Sequence, residues 1–335
     1  MSSIIECIRT VGRGERSRKP LSYQQAHLVM TEYLQGQVPT GKMAMLMMLI
    51  RVQNETAAEV AGFTLALREY LESSSPTLNQ LKADVDWPCF AGKRELQGAP
   101  WHLYSAKALA MNGKSVLIHG HIEAGTKRLH AANFLDTLGI TYCNSIEQAQ
   151  QELEKNRIAY LPLDVYAPQV VDMLRWQQEY GLRTPINTCA RMLNPSNAKI
   201  SLRGSFHPGF PKLHAEAEYL IQQQIHNGKP DICTVSFKGV GGESEFNPKV
   251  SQSLFCATRN GVEELYWDEK LNPDLPQLVQ CVMGTDTDKL ELLANTAVAG
   301  IAVVLWAAGQ SSQMSRDQAI NGAERVWQDY VNHAI

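Results

Sequence analysis

SVLIHGHIEAGTKRLHAANFLDTLG, residues 115–139, joins a short β-rich run (Ser115–Ile118) to a turn and then to a helical stretch (Ala132–Leu138). The same alternation continues outward on both sides. β-Rich runs recur at Ile158–Leu161, Ile232–Phe237 and Leu254–Ala257, with helical stretches at Ala106–Asn112, Ser145–Lys155, Val170–Tyr180 and Leu213–His226. Strands that alternate with helices predict a mainly parallel sheet with helices on both faces. The end of the chain, Thr287–His333, reads as helical again.

The first quarter of the chain is helical throughout. Ser22 and Gln25 form a capping-box pattern ahead of Ala26, Val29, Met30, Tyr33 and Leu34, and Gly36 supplies a stop. A second helix is predicted over Lys42–Val52, apolar nearly all round, so it must be covered by its own domain or by a partner subunit. Thr56 and Glu59 repeat the capping box and open a third helix through Tyr70, and Ser73–Pro76 reads as a linker. The predicted class is therefore α/β: a small helical domain over residues 1–75, then a larger α/β domain over 76–335 with a mainly parallel sheet.

Composition narrows the function classes. The 335 residues are 44% hydrophobic and 19% charged, which excludes a disordered chain. The first twenty residues contain no apolar run of signal-peptide length. The apolar stretch Leu292–Gly309 includes Asn295, Thr296 and Gly300 and reads as a buried helix rather than a membrane span. Seven scattered cysteines (Cys7, Cys89, Cys143, Cys189, Cys233, Cys256, Cys281) show no metal spacing and fit a reducing cytoplasm, with no membrane partner expected. A net charge of −3 leaves polyanion binding to local patches. The plainest of these is Arg9–Lys19, with Arg13, Arg16, Arg18 and Lys19, which equally suits a solvated arm.

Several segments together resemble anthranilate phosphoribosyltransferase and its relatives in glycosyltransferase family 3. GQVPTGKMAMLMMLIRVQNETAAEVAGFTLAL (residues 36–67) is similar to the family's helical domain. Residues 115–139 resemble its strand, His-Gly turn and helix; Asp164–Pro168 resembles the lead into its Ala-Pro helix; RTPINTCARMLNP (183–195) and LLANTAVAGIAVVL (292–305) resemble two further elements. The resemblance implies that helices from about residue 168 to 195 join the helical domain. It also implies a homodimer through the N-terminal helices, which would cover Met43–Ile50.

The family's reaction displaces pyrophosphate from phosphoribosyl pyrophosphate, so catalysis rests on positioning and on neutralising phosphate charge. Glycines must let the backbone approach, and metal and basic groups must surround the phosphates. Where the family has Gly-Thr-Gly-Gly-Asp, this chain has Cys89–Leu96, CFAGKREL, with Gly92 alone suited to a phosphate loop. Ile118 stands where lysine is expected; His119 and Gly120 remain, but His121 and Ile122 replace an Asn-Arg pair. The metal-holding Asp-Glu pair becomes GGESE, with Ser244 for the aspartate, so Glu245 and Glu243 are the only metal candidates. Gln177 falls where an acceptor-binding arginine is expected, with Arg175 close by. These departures imply a protein that is not an active anthranilate phosphoribosyltransferase and needs no cofactor. If it is an enzyme, the resemblance implies a glycosyl transferase acting on another phosphorylated substrate, with Mg2+.

Lost glycines are matched by gained cations. Lys93–Arg94 and Lys127–Arg128 fall in two loops expected to converge at the carboxyl ends of parallel strands. Trp87, Phe90, Trp101 and Tyr104 are interleaved with the first pair, though each tryptophan and Tyr104 reads first as packed core. Cations and flat rings together suit single-stranded DNA or RNA. This pattern resembles a branch of the family that binds nucleic acid and makes no phosphoribosyl anthranilate. The expected nucleic-acid contacts are Arg13, Arg16, Arg18, Lys19, Lys93, Arg94, Lys127 and Arg128. Gly92, His119, Gly120, Arg183 and Asn187 would mark a vestigial substrate cleft, with no catalytic residue; His119 reads as a turn residue bonded to backbone, and Asn187 and Asn194 as residues that satisfy loop backbone.

Overall fold

The computed structural model describes residues 2–95, 98–123, 125–225, 231–278 and 287–333. Cys281 and the expected helix end at His226 lie outside the described residues. Four helices open the chain: α1 (Ser3–Val11), α2 (Tyr23–Leu34), α3 (Thr40–Gln53) and α4 (Ala57–Ser74). Both predicted capping boxes form, Ser22 with Gln25 and Thr56 with Glu59, so each helix starts where its cap satisfies the first free N–H groups. Helix α1 occupies the front of the segment read as a basic arm; from Gly12 to Lys19 every residue is exposed. Helices α2 and α4 cross at Gly62, where a Cβ would lie 2.8 Å from that of Ala26. Helix α3 buries Met43, Leu46, Met47 and Ile50 within the chain, while Met45 and Val52 stay 49% and 71% exposed.

The rest of the chain alternates: β1 (Val85–Cys89), α5 (His102–Met111), β2 (Val116–Gly120), α6 (Ile146–Asn156), β3 (Ile158–Pro162), α7 (Leu163–Tyr166), α8 (Pro168–Tyr180), α9 (Ile186–Cys189), β4 (Ile200–Ser205), α10 (Phe210–Gln224) and β5 (Cys233–Lys238). Two antiparallel strands, β6 (Gln252–Thr258) and β7 (Gly261–Trp267), and two helices, α11 (Thr287–Ala308) and α12 (Arg316–His333), complete it. The helix expected over Ala132–Leu138 is instead two 3₁₀ turns, Ala131–Asn133 and Asp136–Leu138. The Asn133 side chain accepts from His130 N at 3.3 Å, competing with the helix for backbone groups, and Gly139 ends the segment in a left-handed conformation.

The sheet order is β3-β2-β1-β4-β5-β6-β7. Strands β1 to β5 are parallel, and β6 and β7 add an antiparallel hairpin to one edge. Register pairs Cys89 with Gly120, Gly120 with Pro162, and Ser205 with Lys238, so the loops after β1, β2, β3, β4 and β5 emerge along one rim. One core packs α5, α11 and α12 on one face of the sheet. The other core joins Leu117, Ala159 and Leu161 on the opposite face to the N-terminal helices and to α8 and α9. Part of α11, Lys289–Ala308, is long and apolar enough to cross a membrane, yet 78% of its apolar window is buried inside the fold.

A chain of buried polar side chains runs across this second core beneath the rim. Arg68 of α4 pairs with Glu218 of α10 at 2.7 Å, Glu218 lies 3.5 Å from Arg203 of β4, and Arg203 pairs with Asp86 of β1 at 2.9 Å. Asp86 Oδ1 is 2.9 Å from His119 Nε2, and His119 Nδ1 is 2.7 Å from the Tyr166 hydroxyl. His119 is therefore not the expected turn residue: it is a strand residue, fully buried, whose ring is held between a carboxylate and a phenol. Burial alone would raise the Asp86 pKa, but His119, Arg203 and Ser201 outweigh it and bring the value down to about 2.

Candidate functional site

The two loops that the sequence expects to converge do so. Lys93 and Leu129 exchange backbone hydrogen bonds at 2.9 and 2.8 Å, tying the loop after β1 to the loop after β2. At the head of the first loop Gly92 has φ +62°, and a Cβ there would lie 2.8 Å from that of Arg128. Only glycine fits this backbone and this approach. The Gly92 N–H does not face open space, because it donates to the Glu243 carboxylate.

Lys93 corrects an expectation. It is fully buried rather than presented to solvent. Its ammonium donates to Glu245 and, at 2.6 Å, to the Ala99 carbonyl, and it lies 4.7 Å from the centroid of the Trp101 ring. A compact ammonium on an apolar stem is stable inside only when paired and hydrogen-bonded, and here both conditions are met. Lys93 is thus removed from any binding surface. Trp87, Trp101 and Tyr104 are buried beside it as packed core.

Outside this enclosed cluster, the rim bounds a cavity of about 320 Å³. Arg51, Arg94, Arg128, Arg183 and Arg191 line it, with Glu55 the one carboxylate among its lining residues. Glu55 is already paired with Arg51 at 3.2 Å and accepts from Thr188. Arg128 and Arg191 are oriented by backbone carbonyls: Arg128 donates to Gly92 and Gly241 at 3.0 and 3.2 Å, and Arg191 to Gly242 and Gly204 at 2.8 and 3.2 Å. Carbonyls orient a guanidinium without cancelling its charge, so although Arg183 also lies 3.5 Å from Glu123, the wall keeps an excess of cations over carboxylates. Facing these arginines, Phe206, His207, Phe210 and His214 form a run of neighbouring rings with centroids 5.3 to 6.2 Å apart. Phe206 is 53% exposed. Burial, then the nearby Arg191 and Arg203, push the His214 pKa well down, so this ring is neutral near pH 7. Its two ring nitrogens and the Ser205 hydroxyl are buried against the cavity with no hydrogen-bond partner among the described residues. A second cavity of about 150 Å³ shares Arg183, Asn187 and Arg191 with the first and continues past Phe90, Arg175 and Gln177.

Of the eight cations expected to meet nucleic acid, Arg94 and Arg128 line the main cavity. Lys127, Arg13, Arg16, Arg18 and Lys19 are exposed but do not line it. Of the expected vestigial cleft, Arg183 and Asn187 line both cavities, with Asn187 also capping Thr184 N at 3.1 Å. Gly120 is the last residue of β2, and a Cβ there would overlap the Cys89 carbonyl. Asn194 closes its loop on Ala198, as expected. Sequence reasoning missed Arg51, Arg191 and the ring run. Arg191 sits inside the quoted element RTPINTCAR, and SFHPGF (205–210) is an aromatic-rich turn; both were available signals.

Comparison with known proteins agrees with this architecture. Residues 5–71 match the helical bundle domain of a glycosyl transferase family. Solved anthranilate phosphoribosyltransferases superpose over nearly the whole chain. The Thermus thermophilus enzyme has a TM-score of 0.70 at 18% identity, covering 100% of this chain and 97% of that one. The Saccharomyces cerevisiae enzyme, in complex with PRPP and Mg, has 0.65 at 14% identity, covering 98% and 94%. The fold is that of anthranilate phosphoribosyltransferase. In sequence, the chain is 30% identical to the anthranilate phosphoribosyltransferase of Shouchella clausii over 186 residues, which span 56% of this chain and about half, 53%, of that enzyme. It is 24% identical to the uncharacterized protein YbiB of Escherichia coli over 261 residues, covering 77% and 78% of the two chains.

On this anthranilate phosphoribosyltransferase fold, the residues standing where the resemblance puts a magnesium pair do not suit that ion. The Ser244 hydroxyl donates to the Pro88 carbonyl at 2.8 Å and accepts from Gly204 N at 3.0 Å. Both Glu245 oxygens are engaged, one by Lys93 and the other by His102 N at 3.0 Å. Mg2+ demands an octahedron of oxygens with several waters, and this enclosed, cation-paired corner does not offer one.

Proposed function

We propose that this chain binds single-stranded nucleic acid in the arginine cleft and does not transfer phosphoribosyl groups there. The observation that carries the proposal is the pairing of five lining arginines with a run of aromatic rings, exposed at Phe206 and His207, in one open cavity. Guanidinium groups neutralise successive phosphates, and flat rings accept bases by stacking without demanding a sequence. Where the resemblance puts a diphosphate, this chain's own groups engage one another, with Glu243 on the Gly92 amide and Lys93 on Glu245. A homodimer through the N-terminal helices belongs to the same proposal, supported by the uncovered apolar stripe of α3 at Met45 and Val52.

The test is fluorescence anisotropy with a labelled single-stranded oligonucleotide at low salt. The double change Arg94→Glu/Arg183→Glu is expected to weaken binding at least about tenfold and to flatten its salt dependence. Parent-like binding by that variant sinks the proposal.

A second reading is favoured by one further observation: the unpartnered atoms of Ser205 and His214 in a cavity of about 320 Å³. That volume and polarity also suit a small phosphorylated ligand, as a transferase on another substrate would require. Calorimetry separates the two. A mononucleotide or phosphoribosyl pyrophosphate with Mg2+ that binds as tightly as a long oligonucleotide favours the small ligand.

A further inference from the structure

Beneath the rim, at the last residue of β1, lies a set of side chains that the arginine cleft does not use. Cys89 Sγ is 3.1 Å from His102 Nε2. A carboxylate oxygen of Glu243 completes a triangle in which all three atoms lie within 4.8 Å of one another. All three residues are 1–2% exposed. Glu243 Oε1 accepts from Gly92 N, whereas Oε2 is buried with no hydrogen-bond partner among the described residues.

We propose that Cys89, His102 and Glu243 form a binding site for a thiophilic divalent transition metal, with Zn2+ the best match. The donor set is one sulfur, one imidazole nitrogen and one carboxylate oxygen, a mixture that selects zinc-like ions over magnesium or calcium. Zinc holds such ligands about 2.0–2.3 Å from its centre, so an ion draws this triangle in by roughly an ångström. Three protein ligands leave a fourth position for water or a ligand atom.

The surroundings hold each donor in place. The ion-paired Glu245 accepts from the His102 backbone N–H at 3.0 Å and lies 3.2 Å from His102 Nδ1. With a carboxylate on Nδ1, that nitrogen carries the proton and Nε2 turns its lone pair toward Cys89, the carboxylate–histidine–metal arrangement that fixes a ligating imidazole. Glu243 is fixed from its backbone: Gly204 and Gly239 lack the Cβ atoms that would overlap its carbonyl. Its side chain is fixed by the Gly92 amide, leaving the second oxygen for the ion. Charge also balances. A Cys89 thiolate, Glu243 and Glu245 carry three negative charges, against one on Lys93 and two on the metal. The alternative, an S–H···N hydrogen bond between Cys89 and His102, leaves Glu243 Oε2 unexplained.

The experiment is metal analysis of the full-length protein produced with Zn2+, and cobalt substitution read by absorption spectroscopy. One equivalent of metal and a thiolate-to-cobalt charge-transfer band are expected. Cys89→Ser abolishes the band, while Cys7→Ser, at a buried cysteine of α1, leaves it intact. Glu243→Gln weakens Zn2+ binding at least about tenfold, since losing a ligand costs no less than losing a ligand's supporting partner. Circular dichroism confirms that each variant is folded, and should Cys89→Ser fail to fold, Glu243→Gln carries the decision. Protein without stoichiometric metal and without the band, or a band that survives Cys89→Ser or is undiminished in Glu243→Gln at limiting cobalt, overturns the proposal. None of these readouts depends on nucleic-acid binding, so either proposal can fail alone.

Discussion

Lys93 and Arg94 are adjacent in sequence and belong to opposite regions of the molecule. Lys93 is enclosed with Glu245 and His102, where its ammonium is ion-paired; Arg94 is exposed on the wall of a cleft that gathers five arginines. The inner region is neutralised by its own groups, and the outer region keeps more arginines than carboxylates. Lys93 is inside because one carboxylate and one carbonyl satisfy its ammonium, just as Arg203 is inside beside Asp86 and Glu218; the partners that arrive, and not the type of cation, decide burial. A pair of neighbouring cations is therefore no sign of a common role.

The largest expected effect separates these two regions directly. Lys93→Met leaves Glu245 as a buried unpaired charge and should cost about 3–5 kcal/mol in denaturant unfolding, while Lys93→Met with Glu245→Gln recovers much of that loss. Arg94→Met should change stability by no more than about 0.5 kcal/mol. A Lys93→Met protein of parent stability that binds oligonucleotide poorly would merge the two regions into one.

The second effect concerns pH. Asp86 titrates at about 2 in the folded chain against an ordinary value of 3.8. A lowered folded pKa contributes stability above about pH 4 that is lost as pH falls through about 2, and this shift corresponds to about 2 kcal/mol. Urea unfolding should show that loss between pH 4 and 2, and Asp86→Asn should flatten the profile. Smaller still is Phe206→Ala, which should weaken single-strand binding by about 1–2 kcal/mol with stability nearly unchanged, as measured by anisotropy. The smallest effect belongs to Arg183→Gln, expected to lower the slope of log affinity against log salt by about 0.7.

Much of the fold was legible. The capping boxes at Ser22 and Thr56 placed α2 and α4, and the apolar runs at Ile158 and Cys233 placed β3 and β5. Strands β1 and β4 gave no such signal: Asp86 and Pro88 interrupt one, and Ser201, Arg203 and Gly204 the other. Their polar residues are inside because they pair with each other across the sheet. The cleft was half legible. Arg94, Arg128, Arg183 and Asn187 were identified in advance, but Arg51 and Phe210, 159 residues apart, meet only through packing of α3 against the start of α10.

By itself the sequence determined which segments are helix and strand over much of the chain, because caps and periodicity are local and act within a few residues. Its resemblance to the family also implied that larger side chains stand here in place of that family's glycine loop. Only the tertiary structure decided what those side chains do. Burial depends on which distant groups arrive as partners, and Glu245, 152 residues from Lys93, is what turns a surface cation into a core one.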